Sequence, residues 1–338
     1  MRRLLILALC LILLCGCTQP EKELTKYNAT FLDLFDTVTT VVGYAENEES
    51  FTAMANGIRD DLRYYHQLFD IYNSYEGLNN LKTVNDQAGI APVKVDPAIV
   101  ALLRDCKQYY AQTEGMVNVA MGSVLVLWHH ARNDGLKDPL NACLPKEEAL
   151  LEAARHRDMD CLVIDEENAT VFLTDPAARL DVGAVAKGWS AQRVAETAPA
   201  GLLLSVGGNV CATGPKADGS PWVIGVQSPD DPASYLHTLN ISSGSVVTSG
   251  DYQRAFVVEG QVYHHIIDPA TLYPGKLWRS VTIVCPDSGL ADALSTALFL
   301  LPLEEGQALL ESTGAEAMWV GPEGEQFYSP GFHDLIRN

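Results

Sequence analysis

Positive charge is scarce in this chain. Its 338 residues include 23 lysines and arginines against 43 aspartates and glutamates, which gives a formal net charge of −20. A protein that binds nucleic acid through the phosphate backbone needs clustered lysine and arginine side chains. The composition therefore argues against a nucleic-acid partner.

Paired cysteines and the common nucleotide-binding fingerprints are also missing. The cysteines after Cys17 are isolated and odd in number, and none forms a CxxC pair: Cys106, Cys143, Cys161, Cys211 and Cys285. This pattern indicates neither a zinc site nor a disulfide framework, and we expect most of them to be small buried apolar residues. The chain contains no Walker A loop, no GxGxxG segment and no internal repeat.

Only the N-terminus carries a long apolar run. Arg2 and Arg3 precede eleven apolar residues at positions 4–14, which are too few to span a bilayer comfortably. The segment Leu-Cys-Gly-Cys that follows resembles a bacterial lipobox ending at Cys17. We expect a lipoprotein signal peptide at residues 1–17, a polar tether at 18–28 and one domain at 29–338. A lipid anchor on Cys17 would hold that domain at the extracytoplasmic face of a bacterial cell membrane.

The rest of the chain alternates short strands with capped helices. Residues 31–44 are rich in Val, Thr and Phe and predict a strand, and a helix is expected from Phe51 to about Tyr72 with Ser50 as its cap. Asp96-Pro97 is typical of a helix start. Because strands occur in antiparallel runs rather than in strict βαβ alternation, the pattern favours an α+β fold over a doubly wound sheet.

The segment DVGAVAKGW, residues 181–189, is the most informative stretch. Asp181 is expected to end a strand, Gly183 and Gly188 flank a turn of small residues, and Lys187 is the only charge inside that turn. A small-residue loop that leads into a helix can present backbone N–H groups to an anion. A loop whose glycines only permit tight packing has the same pattern, so both interpretations stay open at this point.

The segment ADALSTALFL, residues 291–300, places polar groups on an apolar helix. Asp292 and Thr296 are four residues apart and share a face, and Ser295 lies beside them. A buried carboxylate needs compensation, and a Mg²⁺ ion coordinated by oxygen ligands would supply it. Stabilisation of Asp292 by the N-terminal end of the helix dipole would also suffice.

The segment YHHIIDP, residues 263–269, contains adjacent histidines. On a strand, His265 and Ile267 would share one face and His264 would lie on the other, so the two histidines cannot serve one site. One histidine acting as a general base is the simpler functional interpretation, and a solvated pair on an edge strand is the alternative. We expect the histidines at 129–130 to lie on the surface.

Taken together and in this order, several segments resemble the ApbE-type FAD:protein FMN transferases. They are DVGAVAKG, SVGGNV with CATG, PWVIGVQSP, VVTSGDYQR, YHHIIDP and ADALSTA, and the resemblance covers roughly residues 31–312. It implies a single α+β, T-fold-like domain of layered antiparallel sheets and helices. It also implies a Mg²⁺-dependent enzyme with FAD as substrate, which moves FMN to a threonine hydroxyl of a target redox protein and releases AMP.

The resemblance also implies roles for individual residues. His265 would be the catalytic base. Contacts to FAD would come from Phe35, Asn118, Asp181, Lys187 and Ile266. Contacts to the metal would come from the Ala184 carbonyl and the side chains of Asp292 and Thr296, with Ser295 beside them.

Two segments depart from the family pattern. Phe35-Asp36-Thr37 stands where the family usually has Met-Gly-Thr, and Asn118 stands where the family tends to have the aspartate of Phe-Asp-Pro. An asparagine can hydrogen-bond an adenine or ribose edge but carries no negative charge. These changes affect the expected FAD contacts more than the expected metal site.

The same residues are compatible with two other functions. A Mg²⁺-dependent FAD pyrophosphatase would use water instead of a protein hydroxyl, and a non-catalytic surface lipoprotein would only bind flavin. For the transferase, the resemblance implies an acceptor protein with a threonine flavinylation motif. Such an acceptor would belong to an RNF-type complex, a Na⁺-pumping quinone reductase or an extracellular flavin reductase.

Overall fold

The computed structural model describes residues 24–337, and the predicted signal peptide and Cys17 lie outside that range. Within it, the chain forms eight α-helices and fifteen strands. The helices are α1 (Glu48–Phe69), α2 (Leu81–Asp86), α3 (Pro97–Gln112), α4 (Gly122–Lys137), α5 (Glu147–Ala153), α6 (Ala186–Thr197), α7 (Ser288–Leu300) and α8 (Leu303–Leu310). The strands are β1 (Thr25–Leu34), β2 (Thr37–Ala45), β3 (Val93–Lys94), β4 (Leu162–Asp165), β5 (Thr170–Leu173), β6 (Leu203–Val206), β7 (Asn209–Ala212), β8 (Trp222–Gln227), β9 (Tyr235–Ile241), β10 (Gly244–Gly250), β11 (Phe256–Val258), β12 (Gln261–Tyr263), β13 (Ser280–Cys285), β14 (Glu316–Val320) and β15 (Gln326–Tyr328).

An eight-stranded sheet forms the centre of the domain. Its strand order is β1-β2-β6-β7-β10-β13-β14-β15, and every neighbouring pair is antiparallel. Smaller sheets contain β3-β5-β4, β8-β9 and β11-β12. The predicted α+β class with layered antiparallel sheets and helices is therefore confirmed.

The central sheet is covered on both faces. Val246 and Val247 are neighbours on β10 and point to opposite faces, as the two-residue period of a strand requires. Val247 packs into the large core with helices α3, α6 and α7, whereas Val246 packs against the β8-β9 hairpin. Trp319 and Met318 of β14 divide between the two layers in the same way.

The first strand predicted from the sequence is a hairpin in the structure. Strands β1 and β2 pair in antiparallel orientation, and the turn between them contains Phe35 and Asp36 with φ angles of 52° and 51°. The left-handed region is unfavourable for a bulky residue such as Phe35, so the turn is strained there, whereas aspartate tolerates this region better. Residues 25–28, which the sequence assigned to the tether, belong to β1.

Helices with local capping signals lie close to their predicted positions. Helix α3 begins at Pro97, and the Asp96 side chain accepts a hydrogen bond from the Ala98 N–H group as its N-cap. Helix α1 begins earlier than expected because Asn47, and not Ser50, is its cap. Helix α4 was not predicted, since its apolar N-terminal half does not distinguish a buried strand from a helix.

Two predicted strand assignments near the motifs are wrong. Asp181 lies in the loop between β5 and α6 and does not end a strand. Strand β12 ends at Tyr263, so the alternation of side chains expected for His264 and His265 does not apply to that segment. Both motifs lie in irregular chain segments at the edge of the core.

Two further features concern the described residues 24–337. Their five cysteines form no disulfide, and only Cys143 among them is exposed. None of the helices in this range is both long enough and apolar enough to cross a membrane.

Helices α6 and α7 approach each other closely at Gly188. A Cβ atom added to this glycine would lie 2.3 Å from the carbonyl oxygen of Ser288 and 2.5 Å from the Cβ of Asp292. Both distances are far below normal van der Waals contact. The absence of a side chain at residue 188 therefore permits the two helices to cross at this separation.

We expect Gly188→Ala to destabilise the protein. The added methyl group would push α6 away from the backbone of α7, and overpacking of a close-packed core costs about 1–3 kcal/mol. Urea unfolding of the purified variant at neutral pH should show this loss in the free energy of unfolding.

The matched control is Gly57→Ala in the exposed part of α1, where no atom lies within 4 Å of the added Cβ. Alanine has the higher helix propensity, so this variant should gain about 0.5–1 kcal/mol. Equal effects of the two substitutions would contradict the packing explanation.

Candidate active site

Most of the motif segments meet at one large cavity. It has a volume of about 700 Å³, within the usual range of ligand pockets. All but one of the predicted site residues line it: Phe35, Asn118, Asp181, Ala184, Lys187, His265, Ile266, Asp292 and Thr296. Segments that are far apart in the chain thus supply a single concave site.

Ser295 is the exception. Its side chain is completely buried, and its hydroxyl donates to the Asp292 carbonyl oxygen at 2.8 Å. The same hydroxyl lies 2.8 Å from the Ser249 hydroxyl, and Ser249 does line the cavity. The structure therefore places Ser295 behind the cavity wall, where the Asp292 carbonyl oxygen and the Ser249 hydroxyl occupy its own hydroxyl.

Asp292 is a buried carboxylate at the floor of the cavity. Its Oδ2 atom accepts a hydrogen bond of 2.9 Å from the Gly188 N–H group and lies 3.8 Å from the Lys187 ammonium. Burial raises the pKa of Asp292, and the Lys187 charge and the Gly188 N–H group oppose that rise. The carboxylate is thus held by a cation and a backbone donor from the first turn of α6.

The loop before α6 is held by its own side chains. Asp181 Oδ1 accepts a hydrogen bond of 2.9 Å from the Gly183 N–H group, and Lys187 Nζ donates to the Gly183 carbonyl oxygen at 3.3 Å. Lys187 is the second residue of α6, so its charge lies at the end of the helix that attracts anions. The arrangement combines a lysine with the N-terminal end of a helix at the cavity wall.

His265 presents an uncharged imidazole ring to the cavity. Burial, together with the smaller effects of the Arg254 and Lys187 charges, lowers its pKa to about 3. Its Nδ1 atom lies 3.1 Å from the carbonyl oxygen of Gln253, which can only accept a hydrogen bond. Nδ1 therefore carries the proton in the neutral ring, and Nε2 is the atom that can accept one.

The donor set at Asp292 suits a hard cation. Among residues 24–337 there is no cluster of three His, Cys, Asp or Glu side chains that could hold a metal. Asp292, Thr296 and the backbone at Ala184 offer only oxygen atoms, and Mg²⁺ commonly takes one or two carboxylates and completes its shell with water and substrate phosphate. The Asn209 side chain is buried beside this set and helps to lower the pKa of Asp292. The residues present therefore fit Mg²⁺ together with a phosphate ligand.

Asn118 lines the cavity, but its side chain is occupied by the backbone. Its Oδ1 atom accepts from the Ala120 N–H group at 2.8 Å, and its Nδ2 atom donates to the Arg157 carbonyl oxygen at 2.9 Å. Phe35 lies at the other side of the cavity, where its N–H group donates to His66 Nδ1 at 3.2 Å. Both departures from the family pattern are thus part of local hydrogen-bond networks.

The expectation that His129 lies on the surface is wrong. Its ring lines the cavity, and its Nδ1 atom is 2.8 Å from the Tyr72 hydroxyl. A helical assignment of residues 122–137 would have placed it there, because Leu125, His129 and Arg132 then share one face. His130 is exposed as expected.

Comparisons with known proteins agree with this geometry. The family model described as the ApbE family matches residues 35–319. A protein of Treponema pallidum (strain Nichols) named FAD:protein FMN transferase is 35% identical over 277 residues, which cover 76% of this chain and 75% of that protein. A protein of Klebsiella pneumoniae (strain 342) with the same name is 32% identical over 257 residues, which cover 72% and 77% of the two chains.

The fold is also similar to a solved structure. The crystal structure of the ApbE protein from Thermotoga maritima superposes with a TM-score of 0.82 at 29% sequence identity, and the match covers 93% of this chain and 100% of that one. The family match extends over most of the chain and includes all the elements that line the cavity. The chain therefore belongs to the ApbE family.

Proposed function

We propose that this protein is a Mg²⁺-dependent FAD:protein FMN transferase, which moves FMN from FAD to a threonine hydroxyl of a target protein and releases AMP. One observation carries the proposal. The cavity combines an anion-binding side, formed by Lys187 and the start of α6 next to the buried Asp292, with a neutral histidine whose Nε2 atom can accept a proton. The names of the relatives support the same activity.

The pyrophosphate of FAD would bind beside Lys187. The ammonium group and the N-terminal end of α6 both favour negative charge. The Asn209 side chain lines the cavity beside Asp292, and its amide N–H groups would also donate to a phosphate oxygen. These groups would orient the bond between the two phosphates and hold it away from bulk water.

Asp292, Thr296 and the Ala184 carbonyl would hold Mg²⁺ at the same place. When bound, the ion neutralises charge that develops on the phosphate oxygens during phosphoryl transfer. Gly188 and Lys187 fix the Asp292 carboxylate, so the position of this oxygen is set before any ligand binds. The Lys187 charge adds to the stabilisation of the phosphates.

His265 would take the proton of the incoming hydroxyl at Nε2. The threonine oxygen would form a bond to the FMN phosphorus while the bond from that phosphorus to the oxygen of the AMP phosphate breaks. The proton passes to Nε2, and AMP leaves with the electron pair. A base with a pKa of about 3 is weak at neutral pH, but the negative charges of bound FAD would raise that pKa toward the working range.

The acceptor would be a redox protein outside the cytoplasm. The lipobox at the N-terminus supports this location, since a diacylated Cys17 would tether the domain to the extracytoplasmic face of the bacterial cell membrane. Components of RNF-type complexes, Na⁺-pumping quinone reductases and extracellular flavin reductases with a threonine flavinylation motif are the acceptors that we propose.

A mass-spectrometric assay tests the activity. The protein without residues 1–17 is incubated with FAD, Mg²⁺ and a protein that carries a threonine flavinylation motif. We expect the acceptor to gain the mass of one FMN, with one AMP released for each acceptor modified, and both products to be lost when EDTA is added.

The controls separate the competing functions. Asp292→Asn should keep the circular dichroism spectrum of the folded protein but lose transfer by more than about 100-fold, because even an outer-shell partner of a metal ligand is worth 10- to 100-fold. FMN and AMP without a modified acceptor would favour the pyrophosphatase. FAD that is bound but unchanged would favour a flavin-binding protein without activity.

The lipid anchor is tested in the native host or a bacterial expression host. We expect the full chain to partition into the detergent phase and its mature N-terminus to be a diacylated Cys17. Cys17→Ala should leave the protein with its signal peptide uncleaved, because the modified cysteine is missing. A mature wild-type protein that begins at another residue and carries no lipid would exclude the anchor.

The pKa of His265 predicts a pH dependence of stability. The unfolded histidine titrates near pH 6.5, whereas the folded one does so at about 3, so the unfolded state alone binds this proton between those values. Stability is therefore lost as the pH falls, by about 2 kcal/mol between pH 7 and pH 5 for this group. We expect the free energy of unfolding of His265→Asn to fall by about 2 kcal/mol less than that of the wild type over this range.

Urea unfolding at the two pH values provides the measurement. Asparagine retains a donor for the Gln253 carbonyl oxygen, so the fold is preserved. His130→Asn replaces an exposed histidine on α4 and should give the same pH dependence as the wild type. An identical pH dependence in the wild type and His265→Asn would show that His265 is not held neutral by burial.

A further inference from the structure

Three polar side chains form a chain along the cavity wall. The Tyr72 hydroxyl lies 2.8 Å from His129 Nδ1, and His129 Nε2 lies 3.9 Å from Asp181 Oδ2. All three side chains line the cavity. His129 is thus situated between a carboxylate at the loop before α6 and a phenol that follows α1.

The charges around His129 decide which of its nitrogen atoms carries a proton. Burial lowers the pKa of His129, and Arg132 and Arg254 lower it further against the attraction of Asp181. The ring is therefore neutral at pH 7 and has one N–H group. Placing that group on Nε2 directs it toward the Asp181 carboxylate, whereas the other tautomer would direct a lone pair at the negative charge.

The tautomer of His129 determines whether the Tyr72 hydroxyl can donate a hydrogen bond to a ligand or only accept one. With the proton on Nε2, Nδ1 is an acceptor, so the Tyr72 hydroxyl donates its only proton to His129. Only the lone pairs of the phenol oxygen are then available to a ligand in the cavity. Tyr72 can then accept a hydrogen bond from a ligand but cannot donate one.

We propose that His129 is a positioning residue that makes Tyr72 an obligatory hydrogen-bond acceptor, and that Tyr72 thereby selects an N–H edge of the bound dinucleotide. The proposal rests on the proposed function and refines the recognition of FAD. FAD has two such edges, the amino group of adenine and the imide N–H of the isoalloxazine ring. Hydroxyl groups of the ribityl and ribose parts can donate and accept, so an acceptor alone does not select them.

A double-mutant cycle tests this coupling with the full chain purified in detergent. FAD affinity is measured for the wild type, Tyr72→Phe, His129→Leu and the double variant. Each single variant should bind FAD about 3- to 10-fold more weakly, the usual effect of one lost hydrogen bond. The double variant should bind no more weakly than the weaker single variant, because both substitutions remove the same interaction.

Two further variants separate positioning from mere packing. His129→Asn places an oxygen near the position of Nδ1, so it should retain the acceptor for Tyr72 and bind FAD within about twofold of the wild type. His130→Leu is the matched control on the next position of α4, where the side chain is exposed, and should leave FAD binding unchanged. Urea unfolding of every variant shows whether a change in affinity merely follows a change in stability.

Competition by ADP and by FMN distinguishes the two edges. If Tyr72 meets adenine, His129→Leu should weaken ADP binding and leave FMN binding unchanged, and the reverse result would assign Tyr72 to the isoalloxazine ring. Either result supports the proposal.

Three results would overturn it. The first is additive losses in the double variant, and the second is failure of His129→Asn to restore affinity in a stably folded protein. The third is unchanged FAD affinity in His129→Leu, which would leave the proposed transferase intact if the wild type still transfers FMN. A wild-type protein that does not bind FAD at all would overturn this proposal and the proposed function together.

Discussion

The close crossing of α6 and α7 at Gly188 is the constraint on which the site depends. Burying an ionised carboxylate is costly unless it is paired and hydrogen-bonded. Asp292 obtains both forms of compensation from α6, through the Gly188 N–H group and the Lys187 ammonium. Neither would reach it if residue 188 had a side chain, because that side chain would collide with α7. The close packing of the two helices and the compensation of the buried Asp292 charge therefore both require glycine at residue 188.

In the same cavity an uncharged base, His265, lies near the positively charged side chains of Lys187 and Arg254. Burial is the main reason that His265 stays unprotonated, and the charges of Arg254 and Lys187 add to it. Three of the 23 lysines and arginines line this cavity, namely Arg132, Lys187 and Arg254, and four aspartates line it as well. An anionic substrate that enters would relieve the repulsion and make His265 a stronger base. Binding of such a substrate and proton acceptance by His265 would then be coupled through these charges.

Short-range signals in the sequence predicted much of the fold, and long-range packing accounts for the failures. The helix start at Asp96-Pro97 is encoded within a few residues, and it was placed correctly. Most of the motif segments also line one cavity. The burial of Ser295 could not be predicted, because it depends on the Ser249 hydroxyl of a distant strand. The position of His129 was missed for a related reason, since an apolar run does not reveal whether it forms a strand or a helix.

The two departures from the family pattern have local explanations. Asn118 accepts from the Ala120 N–H group and donates to the Arg157 carbonyl oxygen. An aspartate could make the first of these bonds, but it would direct a negative charge at the carbonyl oxygen instead of a donor. The amide therefore suits the path of the Arg157 backbone in this chain, and its loss of charge does not remove a group that was free to bind FAD. At the β1-β2 turn, Asp36 tolerates a positive φ better than most residues other than glycine and asparagine, so a position usually held by glycine can keep its backbone conformation here.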